Sequence, residues 1–286
     1  MGGRCFPLWT APRVIEETGA YAVLYKPPRM FSVPLSDDPA GTLLGWFAGR
    51  CPAVLEAGGP RNREGGLLHR LDVETEGLVL CAKTREAFEF LRARQTAGEF
   101  IKEYGALAHG GTAGPGFPPL PPALTGEGLF LHFPLLIESR FRPWGPGRKA
   151  VRPVVQGPAA PGKKNRREIA RYGDHPYRTE ILNGKPLACG PQETGDLHVF
   201  TIRLRRGFRH QIRCHLAWIG EPILNDALYG GNYCPAYRPS PLPGEPAAAE
   251  EREKRPIALR AQGFRFPDPA TGAEQEYRLP GFTDGT

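Results

Sequence analysis

Residues 196–206 alternate from face to face with a period of two, and residues 209–219 then change to helical spacing. A strand must therefore hand over almost directly to a helix at this point. His198, Phe200, Ile202 and Leu204 share one face of the strand, and Val199, Thr201, Arg203 and Arg205 share the other. Gly207 ends it, and Ile212, Leu216 and Ile219 follow with the helical repeat. Other segments fit the same picture. Residues 20–25 read as a short apolar strand stopped by Lys26-Pro27-Pro28. Residues 77–82 read as a buried strand, and Thr84 caps a helix over residues 85–97 with Gly98 as its stop. Residues 100–108 alternate, with Phe100, Lys102, Tyr104 and Ala106 to one side, and residues 257–266 supply a last strand. Strands outnumber helices and do not alternate with them, so the class is α+β.

Three stretches resist such a reading. Residues 110–128 are Gly/Pro-rich, and residues 234–256 are Pro-rich before turning to Ala, Glu, Lys and Arg. Residues 143–167 carry seven cations, Arg148, Lys149, Arg152, Lys163, Lys164, Arg166 and Arg167, among glycines and prolines. All three are expected as long loops. The formal net charge of +7 favours polyanionic partners. Six dispersed cysteines without a CxxC pair argue against a zinc ribbon and a disulfide scaffold, and fit a reducing compartment. No stretch approaches ~20 apolar residues and no signal peptide is evident, so the expectation is a soluble, cytoplasmic protein with no membrane span.

The chemistry is concentrated in residues 69–83, His-Arg-Leu-Asp-Val-Glu-Thr-Glu-Gly-Leu-Val-Leu-Cys-Ala-Lys. Asp72 stands two residues after Arg70, in a polar turn that feeds an apolar strand. A carboxylate at the lip of a strand beside a cation is placed for chemistry. On this motif alone a surface turn with a fortuitous ion pair is the better explanation, since four-residue matches are cheap, so other segments must decide.

Four separated segments, in order, resemble the RluA-type family of RNA pseudouridine synthases. They are Tyr25-Lys26-Pro27-Pro28, residues 69–83, Ile101-Lys102-Glu103-Tyr104-Gly105-Ala106-Leu107, and Gly207-Phe208-Arg209-His210-Gln211-Ile212-Arg213-Cys214-His215-Leu216. Residues 219–230 (IGEPILNDALYG) and 256–272 extend the likeness. The chain departs from the family pattern at Glu76, where Ser is usual, at Arg29 and Asn225, where Gly is, and at Phe208-Arg209 in place of Arg-Thr or Arg-Ser.

The resemblance implies a pseudouridine synthase fold with a central mixed, largely antiparallel sheet, flanking helices and a basic cleft. It implies a short arm over residues 1–12 and one catalytic domain over 13–284, with loops inserted near 110–128, 143–167 and 234–256. No S4-type domain is expected ahead of it, where fewer than about thirty residues are available. The implied reaction breaks the N1–C1′ bond of uridine, turns the uracil and rejoins it through C5, with no cofactor and no metal. By resemblance Asp72 is the nucleophile, Arg213 the cation that keeps it charged, and Tyr104 the residue packing on the flipped uracil and accepting the C5 proton. Arg70 either fills the vacated base stack or contacts a phosphate. His69, Arg209, His210, Gln211, Lys163, Lys164, Arg166 and Arg167 complete the expected RNA-binding set.

Plainer roles compete with each assignment. Tyr104 suits a core tyrosine with its hydroxyl at the rim, and Arg213 a surface helix arginine. His210, Cys214 and His215 crowd one helix, and no second cluster completes a tetrahedral metal site with them. The expected partner is ribosomal or transfer RNA, and the chain is expected to act as a monomer. The rival readings are a non-catalytic RNA-binding factor on the same scaffold and an enzyme that only cleaves the glycosidic bond.

Overall fold

Thr18 sets the first turn of the chain, its Oγ1 accepting from the backbone N–H of Ala20 and Tyr21 at 3.2 and 3.1 Å. The turn joins β1 (Arg13–Glu17) to β2 (Tyr21–Lys26), which is buried along its whole length. The computed structural model describes residues 9–35, 40–59, 63–124, 133–155, 176–187, 197–231 and 256–282. Further along come α1 (Leu43–Ala48), α2 (Val54–Ala57), β3 (Glu76–Ala82), α3 (Arg85–Thr96) and β4 (Ile101–His109). They are followed by β5 (Leu135–Trp144), β6 (Ala150–Val154), β7 (Tyr177–Pro186), β8 (Leu197–Leu204), α4 (Gln211–Trp218), β9 (Leu259–Pro267) and β10 (Glu274–Arg278). The pairing is mixed but largely antiparallel, which agrees with the α+β class and the sheet that the sequence resemblance implies.

The chain divides into two compact units, residues 1–105 with 235–286 and residues 106–234. In the first, strand order is β1-β2-β3-β9-β4, with β10 on β9; β3 and β9 run parallel. The core gathers Tyr21, Val23, Leu78, Leu80, Phe88, Leu91, Phe100, Phe264 and Phe266. α3 covers it with the face that sequence indicates, Ala87, Phe88 and Leu91, and Thr84 Oγ1 caps the Ala87 N–H at 3.2 Å.

In the second unit β8, β7, β5 and β6 pair in that order, all antiparallel. α4 is buried at all its positions. An aromatic stack lies beneath it, with Phe208 parallel to Phe141 at 4.9 Å and His215 on Phe141 at 5.0 Å. Residues 143–154, expected as loop, instead finish β5 and form β6. Val151 and Ala150 are buried there, and antiparallel pairing with β5 prevails over the local Pro and Gly content. Lys163, Lys164, Arg166 and Arg167 lie outside the described residues. Among those described, no helix is long and apolar enough to cross a membrane.

Candidate active site

Asp72 sits in the turn before β3, and the first unit holds that turn from several sides. Ser32 Oγ both accepts from the Leu71 N–H and donates to the Leu71 carbonyl, each at 3.0 Å. The Thr75 N–H closes the turn on the Asp72 carbonyl at 3.1 Å. The Val73 carbonyl accepts from the Arg29 N–H at 2.6 Å and from Lys26 Nζ at 3.1 Å. The KPP segment is therefore the clamp of the Asp72 turn.

Lys26 is fully buried, and its ammonium also donates to the carbonyls of Pro27 and Met30 at 2.9 and 2.7 Å. Burial pulls it down to about 7, while the negative charges of Asp72, Glu74 and Glu76 oppose that. Three carbonyl acceptors call for three N–H donors, and only the protonated amine has three, so we read Lys26 as charged. It places a positive charge beside Asp72.

Tyr104 comes to the same unit on β4, where Lys102 and Tyr104 are buried and Ile101 and Glu103 are partly open. Burial first, and then the charge of Asp72, push the Tyr104 phenol up from its ordinary value. The hydroxyl is thus protonated at neutral pH in the free protein.

The start of β3 is fixed by a buried ion pair. Arg260 Nε donates to Glu76 Oε1 at 2.6 Å, and Tyr25 donates its hydroxyl to Glu76 Oε2. Arg260 also reaches the Pro280 carbonyl at 2.7 Å. The next residue, Gly77, has φ +127, and a Cβ there would lie 2.3 Å from the Ala261 carbonyl oxygen. Only glycine lets β9 approach the turn so closely.

Arg213 belongs to the second unit. Its Nε and Nη2 fork onto Asp226 at 2.7 and 2.8 Å, and both side chains are buried. Gln211 is buried too, donating to the Arg178 carbonyl and Thr179 Oγ1 while accepting from the Phe208 N–H. His210 Nδ1 meets the Tyr229 hydroxyl at 3.1 Å. Arg209 donates to the Arg148 carbonyl at 2.8 Å, tying down the turn before β6. In the first unit, Arg70 is more than half exposed and pairs with Glu64 at 3.1 Å. His69 is buried against Phe100 and Phe264.

The family model described as RNA pseudouridylate synthase matches residues 20–218, which include both Asp72 and Arg213. The chain belongs to that family. Among curated relatives, ribosomal large subunit pseudouridine synthase D of Vibrio vulnificus is 28% identical over 267 residues, covering 93% of this chain and 66% of the relative. That of Pseudomonas aeruginosa is 26% identical over 267 residues, covering 93% and 67%. The chain thus spans about two thirds of the length of these relatives. Among solved structures, human RNA pseudouridylate synthase domain containing 1 superposes with a TM-score of 0.54 at 16% identity, covering 95% of this chain and 84% of that one. At that identity the likeness speaks for the fold.

The departures from the pseudouridine synthase pattern now have physical reasons. Arg29 and Asn225 hold φ +65 and +64, the left-handed region in which glycine is at ease. Glu76 finds Tyr25 and Arg260, and Phe208 joins the aromatic stack. Sequence reasoning overlooked Lys26 as a charge beside Asp72, because a KPP turn reads as structural. It also passed over Asp226, whose one signal was a carboxylate in the apolar run ILNDALYG.

Proposed function

We propose that this chain isomerises uridine to pseudouridine in RNA, and that its substrate is ribosomal RNA of the large subunit, as the names of its relatives suggest. The observation that carries the reading is the grouping in one unit of Asp72, the buried Lys26 ammonium and Tyr104, with the charge of Asp72 acting on both neighbours. A binding factor needs neither a clamped carboxylate nor a buried cation beside it.

In this mechanism the Asp72 carboxylate bonds to C1′ as the N1–C1′ bond breaks, its electron pair leaving with the uracil, which then turns. C5 bonds to C1′ and displaces the Asp72 carboxylate, N1 takes up a proton from solvent, and the C5 proton must leave. Tyr104 packs on the uracil and takes that proton on its oxygen, passing its own hydroxyl proton to solvent. Arg213 joins the catalytic set by resemblance; the Asp226 fork pre-sets its plane. Isomerisation consumes no redox equivalent and no phosphoryl donor, so the chemistry asks for no cofactor.

Asp72→Asn keeps the shape of the turn and removes the nucleophile. Turnover on a large-subunit ribosomal RNA transcript should vanish, with RNA affinity within about threefold of the parent. Pseudouridine formed by that variant at a comparable rate would dismiss Asp72. Tyr104→Phe keeps the ring and loses the hydroxyl, so product should stall after glycosidic cleavage. Full activity in the Phe variant would reduce Tyr104 to packing. Free uracil released by the parent protein would instead favour a hydrolase.

A further inference from the structure

Among the described residues, five cations are more than nine-tenths buried, and four of them have acceptors. Lys26 has carbonyls, Arg152 has the Pro115 and Val151 carbonyls, Arg213 has Asp226 and Arg260 has Glu76. Lys102 is the exception. It is 6% exposed, and its ammonium has neither a hydrogen-bond acceptor nor a carboxylate among the described residues. Its one ring contact is with Phe100, whose centroid lies 5.9 Å from Nζ. Burial alone accounts for its drop to about 8, with no anion opposing it.

A second orphan donor shares this neighbourhood. His69 packs on the same Phe100 ring at 5.4 Å, and its Nε2 accepts the Leu80 N–H at 3.3 Å. The proton of the neutral ring is therefore on Nδ1, which is buried and has no partner. The charges of Lys102 and Arg92 reinforce burial in keeping this ring neutral. Two donors without acceptors and a local excess of positive charge leave the place one negative group short. The Lys102 ammonium keeps a foothold in solvent, and a cation mostly withdrawn from water with no counter-charge is a cost from which a fold gains nothing.

We propose that Lys102 is an anion seat that receives a phosphodiester of the RNA, beside the uridine handled by Asp72 and Tyr104. The inference rests on the RNA-substrate reading above. Lys102 and Tyr104 share a face of β4 two residues apart, about 7 Å along the strand. A nucleotide whose base meets Tyr104 carries a phosphate within such a reach. A phosphate also satisfies what a uracil carbonyl does not, the missing negative charge. Arg70, next in chain to His69 and more than half exposed, extends the same positive edge toward solvent.

The test uses the full chain and its Lys102→Met and Lys102→Arg variants. Binding of a large-subunit ribosomal RNA transcript is followed against salt, and melting is followed with inorganic phosphate replacing chloride at constant ionic strength. Lys102→Met should bind about tenfold more weakly, with the slope of log affinity against log salt reduced by about one counterion. Lys102→Arg should restore both. Phosphate should raise the melting temperature of the parent and not that of Lys102→Met, which should melt no lower than the parent in chloride. Parental RNA affinity and slope in Lys102→Met overturn the seat, as does an equal phosphate shift in parent and variant. Pseudouridine is scored separately: its absence from the parent strikes the catalytic reading, whereas the phosphate arm tests the seat without it. Were Lys102→Met to misfold, parent and Lys102→Gln in the phosphate series would decide.

Discussion

Arg29 and Asn225 occupy backbone that disfavours any side chain, and they do so on turns next to the site residues. Arg29 donates its N–H to the Val73 carbonyl, so its strained φ serves the Asp72 turn directly. Left-handed backbone costs a residue with a Cβ about 1–2 kcal/mol, and glycine's greater freedom in the unfolded chain returns part of that. Arg29→Gly should therefore leave stability equal or raise it by up to about 1 kcal/mol, as read by urea melts; a loss greater than that would mean that the arginine side chain holds the turn. Lys26 poses the opposite case. Lys26→Met removes three donors to buried or half-buried carbonyls, and should cost about 2–3 kcal/mol. It should also move the acidic limb of the pH–rate profile upward, since the nucleophile loses a neighbouring positive charge. An unmoved limb would assign that task to another cation.

The elements that were legible in the sequence are those whose period agrees with their burial. β8 and α4 follow the switch from period two to helical spacing, and β3, α3 and β4 end within a residue or two of where caps and glycines place them. β5, β6 and β7 escaped because arginine, proline and glycine interrupt their alternation, and pairing between distant segments supplies what local signals lack. The Asp72 and Tyr104 motifs could be read for the same reason as β3 and β4, whereas Lys26 and Asp226 acquire their roles only through tertiary contact. α4 carries a further consequence. His215 is fully buried between Ser139 Oγ and Thr179 Oγ1, each at 2.8 Å, and burial lowers it to about 3. The unfolded chain binds a proton at this residue below about 6.5, and the folded chain refuses it. Stability should thus fall as pH drops from 6.5 toward 3, by about 1.4 kcal/mol per pH unit for this one residue. Denaturant melts at pH 7.5, 5.5 and 4.5 should show the loss, and His215→Gln should flatten it. Equal acid sensitivity in the variant would locate the effect elsewhere, with buried His69 the next residue to replace. Breaking the α4 fork by Asp226→Ala should cost about 3–5 kcal/mol, because it strands the Arg213 guanidinium.

At the scale of the whole molecule, the formal charge of +7 is carried in part by a segment that the family motifs do not explain. Residues 143–154 complete a hairpin, and its turn is held by Arg209 on the Arg148 carbonyl. The cations that follow, Lys163, Lys164, Arg166 and Arg167, stand within five residues, and Glu168 is their one nearby acid. So dense a charge repels itself unless a polyanion meets it, and it exceeds what solubility needs. Neutralising these four together should weaken binding to every RNA tested and reduce the salt slope by up to ~3–4, if each displaces one counterion. The chemical step at saturating RNA should scarcely change, because such contacts hold ground state and transition state alike. The contrast with Lys102→Met is quantitative: one cation at a single seat should take about one unit of slope, four cations together several. A quadruple variant with the parental slope would return this segment to ordinary solvated surface. A variant that binds normally but isomerises slowly would place the segment in the chemistry instead.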